Sequence, residues 1–119
     1  MAGSDRLEIF HNPRCSKSRA ALAIIEAAGV EFDVVRYLDD PPTAERLAEL
    51  LDALGMKPRE LMRRKEAVYR ELGLDDEGLA DKALIDAMAA HPILIERPIV
   101  VNGNRARLGR PPEAVLEIL

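Results

Sequence analysis

A second cysteine is missing from this 119-residue chain, whose one cysteine is Cys15. That absence excludes an internal disulfide, a Cys-x-x-Cys redox pair and a cysteine-rich metal site. Ser18 stands where a Cys-x-x-Cys pair opening at Cys15 would close. Any thiol–disulfide chemistry at Cys15 must therefore draw its second sulfur from another molecule. Histidine is nearly as scarce, and His11 and His91 alone make no ligand cluster. No apolar run approaches the ~20 residues that span a bilayer. Met1-Ala-Gly-Ser-Asp-Arg has no signal-peptide core and reads as a short frayed tail. A cytosolic protein without membrane contact is expected. An excess of positive charge is also lacking: the net charge of −4 argues against general affinity for nucleic acid. Repeats and low-complexity segments are absent.

What is present is a globular pattern, with 48% hydrophobic and 32% charged residues. The length suits one domain with its own core. Leu7-Glu8-Ile9-Phe10 alternates as a strand. Ala21, Leu22, Ile24, Ile25 and Ala28 then form one apolar helical face, stopped by Gly29. Val30, Phe32 and Val34 alternate again, and a second strand is expected to run on to Leu38. Strand, helix and strand at this spacing imply a parallel pair. Pro41-Pro42 breaks the chain, and Thr43 is positioned to cap a helix carrying Leu47, Leu50, Leu51 and Leu54 up to Gly55. A shorter helix is expected from about Pro58, with Leu61 and Met62. Asp81 is the expected cap of another, with Leu84, Ile85 and Met88 inward. The middle, about 43–90, thus reads as a helical, strand-free insertion in a single domain. Ile93 to Val101 is β-rich, interrupted by Glu96-Arg97-Pro98, and Asn102-Gly103 signals a tight turn. Arg105 to Leu108 returns as an antiparallel partner. A last short helix opens at Pro111-Pro112, with Val115, Leu116 and Leu119 inward. The order βαβ, helical excursion, β-hairpin, helix is that of an α/β, thioredoxin-like domain.

Cys15 falls where the first strand gives way to the first helix. Helix entrances expose unpaired N–H groups and the positive end of the peptide dipoles, which lower a thiol's pKa and attract oxyanions. No acid occurs between Glu8 and Glu26, whereas Arg14, Lys17 and Arg19 do. Free cysteines are commonly small buried hydrophobes, but polar neighbours on both sides favour a reactive thiol, a nucleophile for a small oxyanion. The Cys-x5-Arg phosphatase loop is ruled out because position 21 is alanine. Arg19 either points back to the loop or lies on the solvent face. His11 either helps form the thiolate or serves as a structural hydrogen-bonding group. The Ser18 hydroxyl can donate to the thiolate or satisfy a helix-start N–H. A second acid-free run holds Arg97, Arg105, Arg107 and Arg110, and a hairpin can aim some of these at the Cys15 loop or leave them in solvent. Arg97-Pro98 is a candidate cis bond beside the cysteine. Arg63-Arg64-Lys65, between Glu60 and Glu66, reads on its own as a solvated helix face.

The run His11-Asn12-Pro13-Arg14-Cys15-Ser16-Lys17-Ser18-Arg19 resembles the bacterial glutaredoxin-coupled arsenate reductase (ArsC) family. So do Tyr37-Leu38 with Pro41-Pro42-Thr43, Arg59-Glu60-Leu61-Met62-Arg63, Tyr69 with Glu71-Leu72-Gly73-Leu74, His91 to Val101, and Arg110-Pro111-Pro112-Glu113. The likeness runs from about residue 7 to the end. It implies a thioredoxin-like fold with a helical insertion, attack of Cys15 on arsenate, and Arg63, Arg97 and Arg110 around the oxyanion. His11 and Ser18 match motif positions near the nucleophile. No bound cofactor or metal is implied. Glutathione would be the co-substrate thiol, glutaredoxin the partner that regenerates Cys15, and arsenic detoxification in the cytoplasm the role. Ending at Leu119, with Ser-Lys-Ser after Cys15, the chain resembles a shorter subgroup. Two other classes carry different expectations: a redox-responsive regulator of the same fold that binds RNA polymerase, and a generic glutathione-dependent thiol oxidoreductase. The regulators typically switch through Cys-x-x-Cys, which Ser18 removes, and a neutral disulfide needs fewer arginines.

Overall fold

The computed structural model describes residues 7–119, so the tail expected over residues 1–6 lies outside the described residues. Contacts divide the chain into two compact units, one built from the chain up to Asp40 together with Arg97–Leu119, the other from Pro41–Glu96.

The first unit is a four-stranded mixed sheet with helices. It contains β1 (Leu7–Phe10), α1 (Ser16–Ala28), β2 (Asp33–Val35), β3 (Ile99–Asn102), β4 (Arg105–Leu108) and a terminal 3-10 helix, Pro112–Ile118. The strand order is β2-β1-β3-β4. β1 runs parallel to β2 and antiparallel to β3, and β3 runs antiparallel to β4. The core joins Leu7, Ile9 and Val100 of the central strands to Ala21 and Ile25 of α1 and to Val115 and Ile118 of the terminal helix. α1 ends where expected, because Gly29 turns the chain with a left-handed φ of 74° that other residues adopt at a cost.

Three expectations for this unit are corrected. β2 spans three residues rather than reaching from Val30 to Leu38. It lies at a sheet edge, and Val30 and Val34 are exposed, so their alternation does not mark a buried face. The hairpin turn is centred one residue late, on Gly103-Asn104, with φ of 66° at Gly103. The last helix is 3-10, and its three-residue period turns Val115 and Ile118 inward and leaves Leu116 exposed.

The second unit is mostly helical: α2 (Ala44–Leu54), α3 (Pro58–Leu61), α4 (Ala67–Glu71), α5 (Asp81–Ala90) and a 3-10 turn, Pro92–Leu94. The Thr43 hydroxyl caps α2 by accepting from the Arg46 N–H at 3.0 Å. Leu47, Leu50 and Leu51 of α2, Leu61 of α3, and Leu84 and Met88 of α5 are buried. Arg59 fastens the loop after α4: its Nη1 donates to Tyr69 Oη and to the Leu74 carbonyl, both at 2.6 Å, and its Nη2 to the Asp76 carbonyl at 3.0 Å. Here too the expectation needs correction. Ala80, not Asp81, is the N-cap of α5, and Asp81 lies in the first turn, where its charge still favours the helix dipole. The segment is not wholly without β pairing, since Met62 and Ile95 form one antiparallel bridge. Ile93 and Leu94 belong to the 3-10 turn, not to the strand that begins at Ile99.

Gly109 ties the end of β4 to the start of β3, its N–H donating to the Pro98 carbonyl at 2.9 Å. A Cβ at this position would lie 2.7 Å from Pro98 Cγ and 3.4 Å from Ala21 Cβ. A proline ring cannot swing aside, so the clash must be absorbed by the backbone. Gly109→Ala should therefore destabilise the fold by about 1–3 kcal/mol, the usual range for overpacking. Urea unfolding followed by circular dichroism checks this, and an unchanged midpoint would contradict the close packing.

Candidate functional site

The loop between β1 and α1 is shaped by its own polar groups. The His11 N–H donates to the Val35 carbonyl at 2.9 Å, carrying the β1–β2 pairing one step beyond the strand. Asn12 Oδ1 accepts from the Arg14 N–H at 3.0 Å, and the Asn12 carbonyl accepts from the Cys15 N–H at 2.9 Å. These two bonds close a tight turn over Pro13 and Arg14 and deliver Cys15, in extended conformation, to the N-cap of α1. Arg19 folds back over the loop, its Nη1 donating to the Pro13 carbonyl at 2.9 Å, while the side chain stays exposed to solvent.

Ser18 is fully buried. Its Oγ accepts from the Asn12 N–H at 3.0 Å and lies 2.8 Å from Nδ1 of buried His11. The hydroxyl thus braces the loop from inside the first turn of α1. Burial first, then the nearby guanidiniums of Arg36 and Arg19, hold His11 below the usual imidazole range. A neutral imidazole at neutral pH follows.

Cys15 is 9% exposed. Burial alone would push its thiol up. The backbone N–H of Ser18, the Arg97 charge, the backbone N–H of Lys17 and a hydrogen bond from the Arg97 side chain act the other way. Together they outweigh burial, and the thiol ionises below its ordinary range.

Strand register explains how Arg97 reaches the sulfur. Phe10 is paired with Ile99, so the residues that follow β1 and those that precede β3 meet at one end of the sheet. Ile99 is paired in turn with Leu108, which brings Arg110 to the same end. Arg110 Nε donates to the Arg97 carbonyl at 2.9 Å. The Arg97-Pro98 peptide is cis, as is Arg110-Pro111. Nε and Nη1 of Arg97 are buried. The remaining arginines of the run are engaged elsewhere: Arg105 Nη2 donates to the Glu117 carbonyl at 2.9 Å, and Arg107 pairs with the Glu117 carboxylate.

Arg63 lies in the second unit. Its N–H donates to the Leu94 carbonyl at 2.7 Å, and its guanidinium pairs with Glu66 at 2.8 Å and with Glu96 at 3.8 Å. A feature not legible in the sequence is a cleft of about 370 Å³ lined by His11, Asn12, Pro13, Arg14, Arg36, Leu38 and Asp39. Its second wall, residues 36–39, is the bend after β2, where the Asp39 and Asp40 N–H groups both donate to the Arg36 carbonyl, at 3.0 and 2.8 Å. The parallel pairing of β1 with β2 was the signal that these two loops share an end of the sheet.

No helix among the described residues is long and apolar enough to cross a membrane. A model of the ArsC family matches residues 10–118. The uncharacterized protein YfgD of Escherichia coli (strain K12) is 55% identical over 115 residues, covering 96% of this chain and 97% of its own. An arsenate reductase of Neisseria meningitidis serogroup B (strain MC58) is 48% identical over 114 residues, covering 95% and 97%. The solved structure of an arsenate reductase from Vibrio cholerae superposes with a TM-score of 0.92 at 53% identity, covering 96% of this chain and 98% of that one. The fold is the thioredoxin-like one expected from the order of elements. On the match across nearly its whole length, the chain belongs to the ArsC family.

Proposed function

We propose that this protein reduces arsenate to arsenite with Cys15 as its one catalytic sulfur and external thiols as the electron source. The observation that carries the reading is a nearly buried thiol, held at the N-terminus of α1 beside the Arg97 guanidinium, that ionises below its ordinary range. Such a sulfur forms a thiolate more readily than free cysteine does, and its surroundings favour a small anion at the same point. Relatives named as arsenate reductases support the choice of oxyanion.

The Cys15 thiolate attacks arsenic, an S–As bond forms, and one arsenate oxygen leaves as water after protonation. A glutathione thiolate then attacks the Cys15 sulfur. As the S–S bond forms, the S–As bond breaks and its electron pair stays on arsenic, which passes from +5 to +3 and departs as arsenite. The two thiols have together lost two electrons and form a mixed disulfide. Glutaredoxin removes the glutathionyl group by thiol exchange and frees Cys15. Arg97 and Arg110 offset the charge of the oxyanion through charge-assisted bonds. Ser18 and His11 support the loop, and Ser18 presents its backbone N–H to the sulfur. A reducing compartment such as the cytoplasm suits the thiol donors.

The pH dependence of Cys15 alkylation by iodoacetamide should have its midpoint below the ~8.5 of free cysteine. Removing the Arg97 charge takes away a cation that favours the thiolate, so Arg97→Ala should move the midpoint up. A wild-type midpoint at the free-cysteine value would sink the nucleophile assignment. Turnover gives the second check, in an assay with arsenate, glutathione, glutaredoxin and a reductant supply. Cys15→Ser should abolish it, and Arg97→Ala should lower kcat/KM for arsenate roughly 100-fold, the scale for losing one transition-state donor. Full activity in Cys15→Ser would refute the mechanism.

A further inference from the structure

The cleft beside the Cys15 loop is not accounted for by an oxyanion. At about 370 Å³ it is far larger than one tetrahedral anion and falls within the roughly 300–1,000 Å³ of small-molecule sites. Asn12, Pro13 and Arg14, the three residues directly ahead of Cys15, form one wall, and Arg36, Leu38 and Asp39 the other. Its charged lining is two guanidiniums and one carboxylate. Among the described residues none of Arg14, Arg36 and Asp39 is engaged in an ion pair. Arg36 stands close enough to His11 for its charge to be felt there. Leu38 adds an apolar side chain that is 39% exposed.

We propose that this cleft is the recognition subsite for the external thiol donor, a small peptide of the glutathione type with two carboxylates and one ammonium group. The proposal rests on the reading of Cys15 as a nucleophile served by an outside thiol. Each guanidinium meets a carboxylate through paired charge-assisted bonds, and Asp39 meets the ammonium. Leu38 and Pro13 face the aliphatic part of the peptide. Cys15 does not itself line the cleft but follows directly on its Asn12–Arg14 wall, so a donor held there need extend its thiol only past that wall to meet the sulfur.

S-methylglutathione tests this, because it keeps the charges of the tripeptide and cannot exchange thiols. Titrated into the full-length ¹⁵N-labelled protein at millimolar concentration, it should shift the amides of residues 11–14 and 36–39. Arg36→Gln and Arg14→Gln should each weaken binding about tenfold, the scale of one lost charged hydrogen-bond pair. In turnover they should raise the KM for glutathione by a similar factor, with the KM for arsenate unchanged and 2-mercaptoethanol used as well as before. Asp39→Asn makes the cleft more positive, yet it should weaken the tripeptide, whereas an unselective anion pocket would bind it more tightly. The proposal is overturned if S-methylglutathione shifts no amides or only distant ones, if Arg36→Gln binds as the wild type does, or if inorganic phosphate shifts the same amides equally. Binding at the cleft together with full arsenate turnover by Cys15→Ser would instead refute the mechanism and leave the subsite standing.

Discussion

Taking a thiol out of water makes it harder to ionise, because a buried anion loses its hydration. Cys15 is nearly buried, so its reactivity depends on groups that return the lost stabilisation. A helix N-terminus contributes only about 0.3–1 kcal/mol to a nearby anion. That is small beside the cost of burying a charge without a partner. The Ser18 N–H aimed at the sulfur gives the largest return, and Arg97 adds both a fixed charge and a side-chain hydrogen bond. Because Arg97 comes from a segment more than eighty residues away in the chain, the site exists only once β3 has paired with β1. The part of the activation that Arg97 supplies is therefore gained only on folding, whereas the Ser18 and Lys17 N–H groups act within the first turn of α1.

The scaffold sorts the arginines of the hairpin region by register. Arg97 and Arg110, outside the paired residues, gather at the end of the sheet that carries the thiol. Arg105 and Arg107, inside β4, are tied to Glu117 of the terminal helix. One stretch of like charge thus does two jobs, and position relative to the strand ends decides which. Ser18 shows a similar economy. Its backbone N–H favours the thiolate, while its hydroxyl joins the Asn12 N–H and the His11 ring, so helix and loop are locked at one residue.

Much of the fold was legible because its signals are local. The alternation of Leu7–Phe10, the apolar face of α1, the Thr43 cap and the glycine stops all act within a few residues. Errors arose where tertiary context overrides pattern. Val30 and Val34 alternate as a buried strand would, but their strand lies at an edge. Leu116 is apolar, but a three-residue period turns it outward. The lone cysteine and its cationic setting were visible from composition. The contact between Arg97 and the sulfur was not, since it depends on register, and the wall formed by residues 36–39 depends on the bend after β2. The charged run at Arg63 read locally as a solvated helix face, but it lies in the connection between α3 and α4, where the Arg63 guanidinium is half-buried and matched by two carboxylates, Glu66 and Glu96.

The two outer strands carry a consequence for self-association. An unpaired strand rim is a template on which another chain can add. β2 presents three residues, among them the exposed carboxylate of Asp33, too short a rim for a stable ladder. β4 presents exposed Arg105 and Arg107, whose guanidiniums are drawn toward Glu117 beside that rim. Brevity on one side and bulky charge on the other blunt both margins, so that a narrow sheet resists growing into a continuous intermolecular one.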